Sequence, residues 1–362
     1  MSARVMAAMS GGVDSSVAAA MLREAGYDVV GVAMRLAPES ADAPKRSRAG
    51  ACCSYEDFED ARRVAEMFEF PFYVVDMRAE FSRRVIGNFA AEYLRGRTPN
   101  PCVMCNLEIK FDQLWRRARA LECDLIATGH YARIVRDSYG AFHLMRAIDE
   151  SKDQSYFLFT LSHKQLSRTL FPLGAMTKAE VRAKAHSLKL ANAAKPESQE
   201  ICFVPDNDYA AMVERVNGSP APKGAIVDES GRVLGAHGGL HHFTVGQRRG
   251  LGVAAGAPLY VREIRPETAE VVVAARYRLG ANGLTAEKVR LVDQAGIGGS
   301  NVPIEAKIRY RHPALPASLT MIAPDRAEVR FLNQGPAVSP GQACVFYRGD
   351  EVLGGGFIER AL

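Results

Sequence analysis

The chain has 362 residues, 48% hydrophobic and 24% charged, which suggests two or three domains and excludes a disordered or fibrous protein. Its net charge of +5 permits a polyanionic partner without requiring one. No stretch approaches the roughly 20 apolar residues of a membrane span, the first ten residues lack the apolar length and cleavage site of a signal peptide, and an odd count of seven cysteines speaks for a reducing, cytoplasmic setting rather than a secreted disulfide framework.

Up to about residue 205 the apolar pattern alternates strand and helix periods. That predicts an α/β domain over 1–205 with a doubly wound parallel sheet. Arg4–Met9 reads as a buried strand, Ser15–Ala25 as a helix stopped by Gly26, and Asp28–Met34 as a second apolar strand. Leu36–Gly50 mixes Pro, Ser, Ala and basic residues and reads as a mobile loop. Tyr55–Phe68 follows as a helix, Phe72–Asp76 as a strand and Ala79–Leu94 as another helix. Leu125–Thr128 is a fourth strand that runs into Gly129 and His130. Thr177–Leu188 is amphipathic and opens on the capping pair Thr177 and Glu180.

Beyond Pro205 the composition changes. Gly224–Gly256 is rich in glycine with short β patterns, which predicts a small central domain over 206–280. From Leu284 onward, alternating segments such as Ala306–Tyr310, Ala327–Leu332 and Ala343–Tyr347 are separated by Gly and Pro. They predict a C-terminal β-barrel over 281–362.

Two stretches carry chemistry. Ser10-Gly11-Gly12-Val13-Asp14-Ser15-Ser16 lies between the first strand and the first helix. Adjacent glycines let the backbone approach a phosphate, and the following amides, hydroxyls and helix N-terminus favour an anion. A plain capped turn would explain one glycine and one serine, not the whole run. The run lacks the lysine of a Walker A loop and resembles the loop of the ATP-pyrophosphatase, or PP-loop, superfamily. That resemblance implies ATP at the strand ends, held by Ala8, Met9, Ser10, Gly11, Gly12, Val13, Asp14 and Ser15, with Met34 and Gly129 flanking the adenosine, and Mg²⁺ as companion ion.

The second stretch is Thr98-Pro99-Asn100-Pro101-Cys102-Val103-Met104-Cys105-Asn106. Its prolines suggest a stiff exposed loop with Cys105 just ahead of a helix. A thiol near a helix N-terminus and basic residues is nucleophilic. Cys202 lies far along the chain in Ser198-Gln199-Glu200-Ile201-Cys202-Phe203. Two distant cysteines suit a sulfur relay in which one carries a persulfide and the other attacks to release it. A lone CxxC is also a zinc half-site, but no second CxxC follows. Cys123 and Cys344 read as inert core thiols, and Cys52 and Cys53 receive no role. Arg95, Arg97, Lys110, Arg116, Arg117 and Arg119 surround the CxxC segment and suit phosphate contacts.

In order along the chain come Ser10–Ser16, Asn100–Asn106, Ala127-Thr-Gly-His-Tyr131, Lys152-Asp-Gln-Ser-Tyr156, Ser198–Cys202 and His242-Phe-Thr-Val-Gly-Gln-Arg-Arg-Gly250. In this combination the chain resembles, over nearly all of its length, the bacterial tRNA-specific 2-thiouridylases. The resemblance implies adenylation of the wobble uridine with ATP and transfer of persulfide sulfur to give 2-thiouridine. It implies Cys105 as nucleophile and Cys202 as persulfide carrier, joined in a transient disulfide. Asn100, Pro101 and Cys102 would face the target base, and His130, Lys152, Asp153, Gln154, Arg309, Tyr310 and Gln342 would approach the tRNA.

The expected partners are tRNAs for Glu, Gln and Lys and a persulfide donor, such as a cysteine desulfurase or a sulfur-relay protein. Many relatives have Asp where this chain has Cys102; a thiol, with a reference pKa near ~8.5 against ~3.9, does not inherit that acid–base role. Cys102, Cys105 and Cys202 as three ligands of a 4Fe–4S cluster form the alternative reading. Rival functions are an amide-forming ligase of the same superfamily, a 4-thiouridine enzyme and a non-enzymatic RNA-binding or iron–sulfur carrier.

Overall fold

The computed structural model describes residues 2–36, 55–196, 201–204, 208–218, 221–292 and 299–362. The expected loop at Leu36–Gly50, apart from Leu36, falls outside these residues, as do Cys52, Cys53 and Ser198–Glu200. The chain resolves into two compact units. One holds 1–85, 102–207 and 350–352, and the other 86–101, 208–349 and 353–362.

The first unit is built on a parallel sheet. Strands β1 (Arg4–Ala8), β2 (Asp28–Arg35), β3 (Phe72–Asp76) and β4 (Leu125–Thr128) form where the apolar runs predict them. A hairpin of β5 (Arg133–Arg136) and β6 (Phe142–Met145) follows, and the two-residue β7 (Thr169–Leu170) completes the unit's strands. The sheet runs β3-β2-β1-β4-β7, and each pairing is parallel. The order turns at β1, so the loops after β1 and β4 emerge side by side at the crevice where such sheets bind ligands. Val5, Val17, Val29, Val64, Ala127 and Val181 belong to one core, which locks the helices Val13–Glu24, Tyr55–Met67 and Lys178–Ser187 onto the sheet.

Two helical expectations change. Ala79–Leu94 is not a uniform α-helix: it starts at Arg78, winds as a π-helix over Ser82–Ile86 and resumes as α over Gly87–Leu94. The wider turn shifts the apolar register, so that Phe81, Val85 and Ile86 as well as Phe89, Ala90 and Tyr93 are buried. The CxxC cysteines do not sit on a loop ahead of a helix. Pro101 opens the helix, α over Pro101–Met104, π over Cys105–Gln113 and α again over Leu114–Ala120. Proline suits that first position because its missing N–H would be unpaired there in any case.

In the second unit, β8 (Gly224–Val227), β9 (Val233–His237), β10 (Tyr260–Arg265) and β11 (Glu270–Ala274) form a sheet in the order β10-β11-β8-β9. Ile226, Phe243, Val261, Val271 and Val273 make its core. Then come β12 (Ala281–Leu291), β13 (Val302–Lys307), β14 (Leu315–Ala323), β15 (Arg326–Gly335), β16 (Ala343–Arg348) and β17 (Glu351–Ala361). The order β12-β15-β14-β13-β16-β17 closes through a β12–β17 pairing into the expected barrel. β13 lies earlier than predicted, leaving Arg309 and Tyr310 in the turn beyond it.

Candidate active site

The glycine loop is shaped by its own hydroxyls. Ser15 Oγ accepts from the Ser10 amide at 3.1 Å and donates to the Gly12 carbonyl at 3.1 Å, folding the loop back on the first helical turn. Gly11 has φ +74° and leaves no room for a side chain, since a Cβ would lie 2.2 Å from the Asp57 carbonyl. Gly129, just past β4, faces the same turn, and a Cβ there would come within 2.8 Å of the Ser15 amide nitrogen. The helix Val13–Glu24 therefore presents its amide end beside two glycine backbones, with Gly12 as an N-cap that makes no side-chain bond. Met34 lies near the same carboxyl edge, half-buried, beside Val75 of β3.

Three residues that sequence reasoning did not single out complete this surround. Lys178 Nζ contacts both Asp14 oxygens at 2.7 and 2.9 Å. Lys195 Nζ meets Asp57 at 2.7 Å, Asp60 at 2.6 Å and the Gly11 carbonyl at 3.3 Å. Burial alone would lower the Lys195 pKa, but the two carboxylates outweigh it and hold the ammonium above its ordinary value. Asn192 donates to the Gly11 carbonyl at 3.0 Å and to Ser16 Oγ at 2.9 Å. The loop thus lacks a Walker lysine but has two cations brought from beyond residue 177. The one hint in the sequence is the Thr177/Glu180 capping box, which fixes the helix start next to Lys178.

From Asp14 a hydrogen-bonded path leads to the Lys152–Tyr156 motif. Tyr131 donates its hydroxyl to Asp14 Oδ1 at 2.9 Å, and its amide to Gln154 Oε1 at 3.0 Å. Asp153 is buried and accepts from the amides of Ala147 and Ser155, each at 3.1 Å, and from Ser155 Oγ at 2.9 Å. Within this motif Lys152 is half-buried.

His130 is buried as well. Lys110 can only donate, so its contact with Nε2 at 3.3 Å makes Nε2 the acceptor, and Nδ1–H donates to Thr128 Oγ1 at 2.7 Å. Burial, reinforced by the Lys110 charge, drops the imidazole pKa well below its usual value. The ring is a neutral, fixed dipole beside Gly129.

Cys102 is exposed, whereas Cys105 and Cys202 are half-buried, and all three belong to the first unit. Cys102 occupies the first turn of its helix, where the dipole favours a thiolate. Cys105 is a turn further on, at the start of the π-wound stretch, so the helix dipole acts more strongly on Cys102. Phe203 packs edge-on against Phe81 with centroids 5.6 Å apart and anchors the segment that bears Cys202. Among the described residues, the one group of His, Cys, Asp or Glu side chains close enough together to hold a single metal ion lies away from these cysteines. Cys123 and Cys344 are buried, as expected of core thiols, and burial raises the pKa of both.

In the second unit, Gln342 donates to the carbonyls of Thr98 and Pro99 at 3.1 and 3.2 Å, tethering the backbone that leads to the buried Asn100 and Pro101. Arg309 spends its guanidinium on the Ala337 carbonyl at 2.9 Å and Ser339 Oγ at 3.1 Å. Tyr310 is half-buried, with Lys307 Nζ 5.7 Å from its ring centre. Of the basic residues near the CxxC, Arg97 pairs with Glu92 at 2.8 Å and Glu287 at 2.6 Å, and Arg116 with Asp112 at 3.2 Å. Arg95, Arg117 and Arg119 are exposed. Among the described residues no helix is long and apolar enough to cross a membrane.

Residues 3–206 match the family described as the tRNA methyl transferase HUP domain, 214–275 the tRNA methyl transferase PRC-barrel domain, and 281–358 the aminomethyltransferase beta-barrel domain. The "tRNA-specific 2-thiouridylase MnmA" of Geobacter metallireducens is 52% identical over 99% of this chain and 97% of its own length. The proteins of that name from Geotalea uraniireducens and Carboxydothermus hydrogenoformans are 52% and 48% identical, each over 99% of this chain and over 96% and 98% of their own lengths. With relatives half identical along nearly its whole length, the chain belongs to the tRNA-specific 2-thiouridylase family.

Proposed function

We propose that the protein is an ATP-dependent tRNA-uridine 2-sulfurtransferase, replacing the 2-oxygen of a wobble uridine with sulfur and releasing AMP and pyrophosphate. The observation that carries this reading is the glycine loop, with its two added lysines, in the same compact unit as Cys105 and Cys202, in a chain 52% identical to a named 2-thiouridylase.

ATP is the substrate the loop suits. The helix amides beyond Gly12 face the pyrophosphate that departs. Lys178 and Lys195 each exchange a carboxylate for a phosphate, giving the positive charge that a Walker lysine gives elsewhere. Asp14, released from Lys178, would be a carboxylate available to hold Mg²⁺, which would neutralise phosphate charge. The uridine 2-oxygen attacks the α-phosphorus, and the bond to pyrophosphate breaks. The terminal sulfur of a Cys202 persulfide attacks C2, and the C2–oxygen bond breaks as AMP leaves. Cys105 thiolate attacks Cys202 Sγ and breaks the persulfide bond. N3 regains a proton, 2-thiouridine remains, and the two cysteines share a disulfide that an external thiol reduces. The donor of the next sulfur is a persulfide-bearing protein, a cysteine desulfurase or relay partner.

A single-stranded anticodon loop is the form of RNA from which a base can be turned into a pocket. Asn100, Pro101 and Cys102 are the stretch we assign to that base, with Cys102 as proton carrier. Lys152, Arg309, Tyr310, Gln342 and His130 are assigned to the surrounding RNA, and tRNAs for Glu, Gln and Lys are the acceptors to try first. In the test, Cys105→Ser and Cys202→Ser each abolish 2-thiouridine formation while leaving tRNA binding intact. Normal turnover in either variant removes that cysteine from the mechanism.

A further inference from the structure

Among the described residues, one set of metal-ligating side chains converges. Glu214 projects from the helix Tyr209–Asn217, and His241 and His242 from the 3₁₀ turn Leu240–His242. One donor atom from each lies within 4.8 Å of the other two. His241 Nε2 is 3.1 Å, and His242 Nε2 3.7 Å, from the same Glu214 oxygen. A tetrahedral ion with bonds of about 2.0–2.1 Å holds its ligand atoms about 3.3 Å apart. The two observed spacings bracket that value.

An ordinary histidine–carboxylate pair accounts for His241 and Glu214 alone. It does not account for a second imidazole aimed at the same oxygen, with the two rings 4.2 Å apart centre to centre. His241 Nδ1 is buried without a hydrogen-bond partner among the described residues, so the ring makes its polar contact through Nε2, on the Glu214 side. The absence of a side chain at Gly239 admits this ring, since a Cβ there would lie 2.4 Å from His241 Cε1 and 2.6 Å from Nδ1. His241 is fully enclosed, whereas His242 and Glu214 keep 42% and 52% of their side-chain surface. One ligand is thus fixed, and the other two are open to an ion arriving from solvent.

We propose that Glu214, His241 and His242 form a site for a first-row transition-metal dication such as zinc, separate from the cysteines. Two imidazoles and one carboxylate suit such an ion better than Mg²⁺ or Ca²⁺, which favour all-oxygen shells. The bound ion ties the helix Tyr209–Asn217 to the turn that begins His242–Gly250, and its outer positions are left to water.

The test uses tag-free full-length protein with Cys102, Cys105 and Cys202 replaced by serine, so that those thiolates cannot compete. Cobalt(II) is titrated by its visible absorption, and zinc retained after dialysis is counted by elemental analysis. The expected result is one ion per chain, with visible ligand-field bands and no near-ultraviolet sulfur band. His242→Ala, at a part-exposed position, and Glu214→Gln each weaken cobalt binding by more than the roughly 10–100-fold that loss of an outer-shell partner costs, with an unchanged circular dichroism spectrum. Absence of binding, binding only with the sulfur band, or undiminished binding in His242→Ala overturns the proposal.

Discussion

A methyl group at position 129 would press on the Ser15 amide at 2.8 Å, in the turn where the loop presents its N–H groups. Gly129→Ala is therefore expected to displace the cradle more than it harms the fold. A displacement of that size costs on the order of 10²-fold in rate, and tRNA-dependent pyrophosphate release measures it; wild-type release would contradict the assignment. Two histidines respond to pH with opposite signs. His130 is held neutral, so the unfolded chain takes up protons that the native ring refuses, and stability falls as pH drops below the ordinary value of 6.5. His143 has a raised pKa, first through its hydrogen bond to Glu351 and then through that to Asp137. Its contribution is full below the ordinary value of 6.5 and is lost as pH rises through the raised folded value. Urea unfolding of His143→Gln should show a deficit at about pH 5.5 that vanishes at about pH 8.5. A deficit that grows toward alkaline pH would reverse the sign and refute the pairing.

At the scale of elements, the sequence is legible where one short-range cause dominates. β1 to β4 are apolar runs beside turn residues, and the capping box at Thr177 and Glu180 is present in full. The π-wound stretches at Ser82–Ile86 and Cys105–Gln113 were not legible, because helical periodicity does not distinguish one widened turn from an α-helix. The hairpin β5–β6 was missed as well: Arg133-Ile-Val-Arg136 carries no clear alternation, and its partners Glu351 and Val352 lie far along the chain. Thr177→Ala removes a cap and should cost about 1 kcal/mol of stability. Lys178 follows that cap directly and reaches Asp14, so the same variant should also raise the KM for ATP. An unchanged KM would separate the helix start from the nucleotide site.

Across the whole molecule, ordered motifs gave the function class before any fold was known, and the parallel sheet and closed barrel agree with the expected architecture. What one sequence could not supply was long-range company. Lys178, Asn192 and Lys195 lie more than 160 positions beyond the loop and meet it only through the fold. Asp153 and Arg309 are residues for which the family resemblance implies RNA contact, yet their side chains also serve internal hydrogen bonds that no spacing reveals. The most direct test of the central claim is nucleoside mass spectrometry of unmodified tRNA for Glu, Gln or Lys, incubated with the protein, Mg²⁺ and a persulfide source, with and without ATP, in air and without oxygen. The account predicts 2-thiouridine that requires ATP and forms in both atmospheres; formation only without oxygen, or none under any condition, would contradict it.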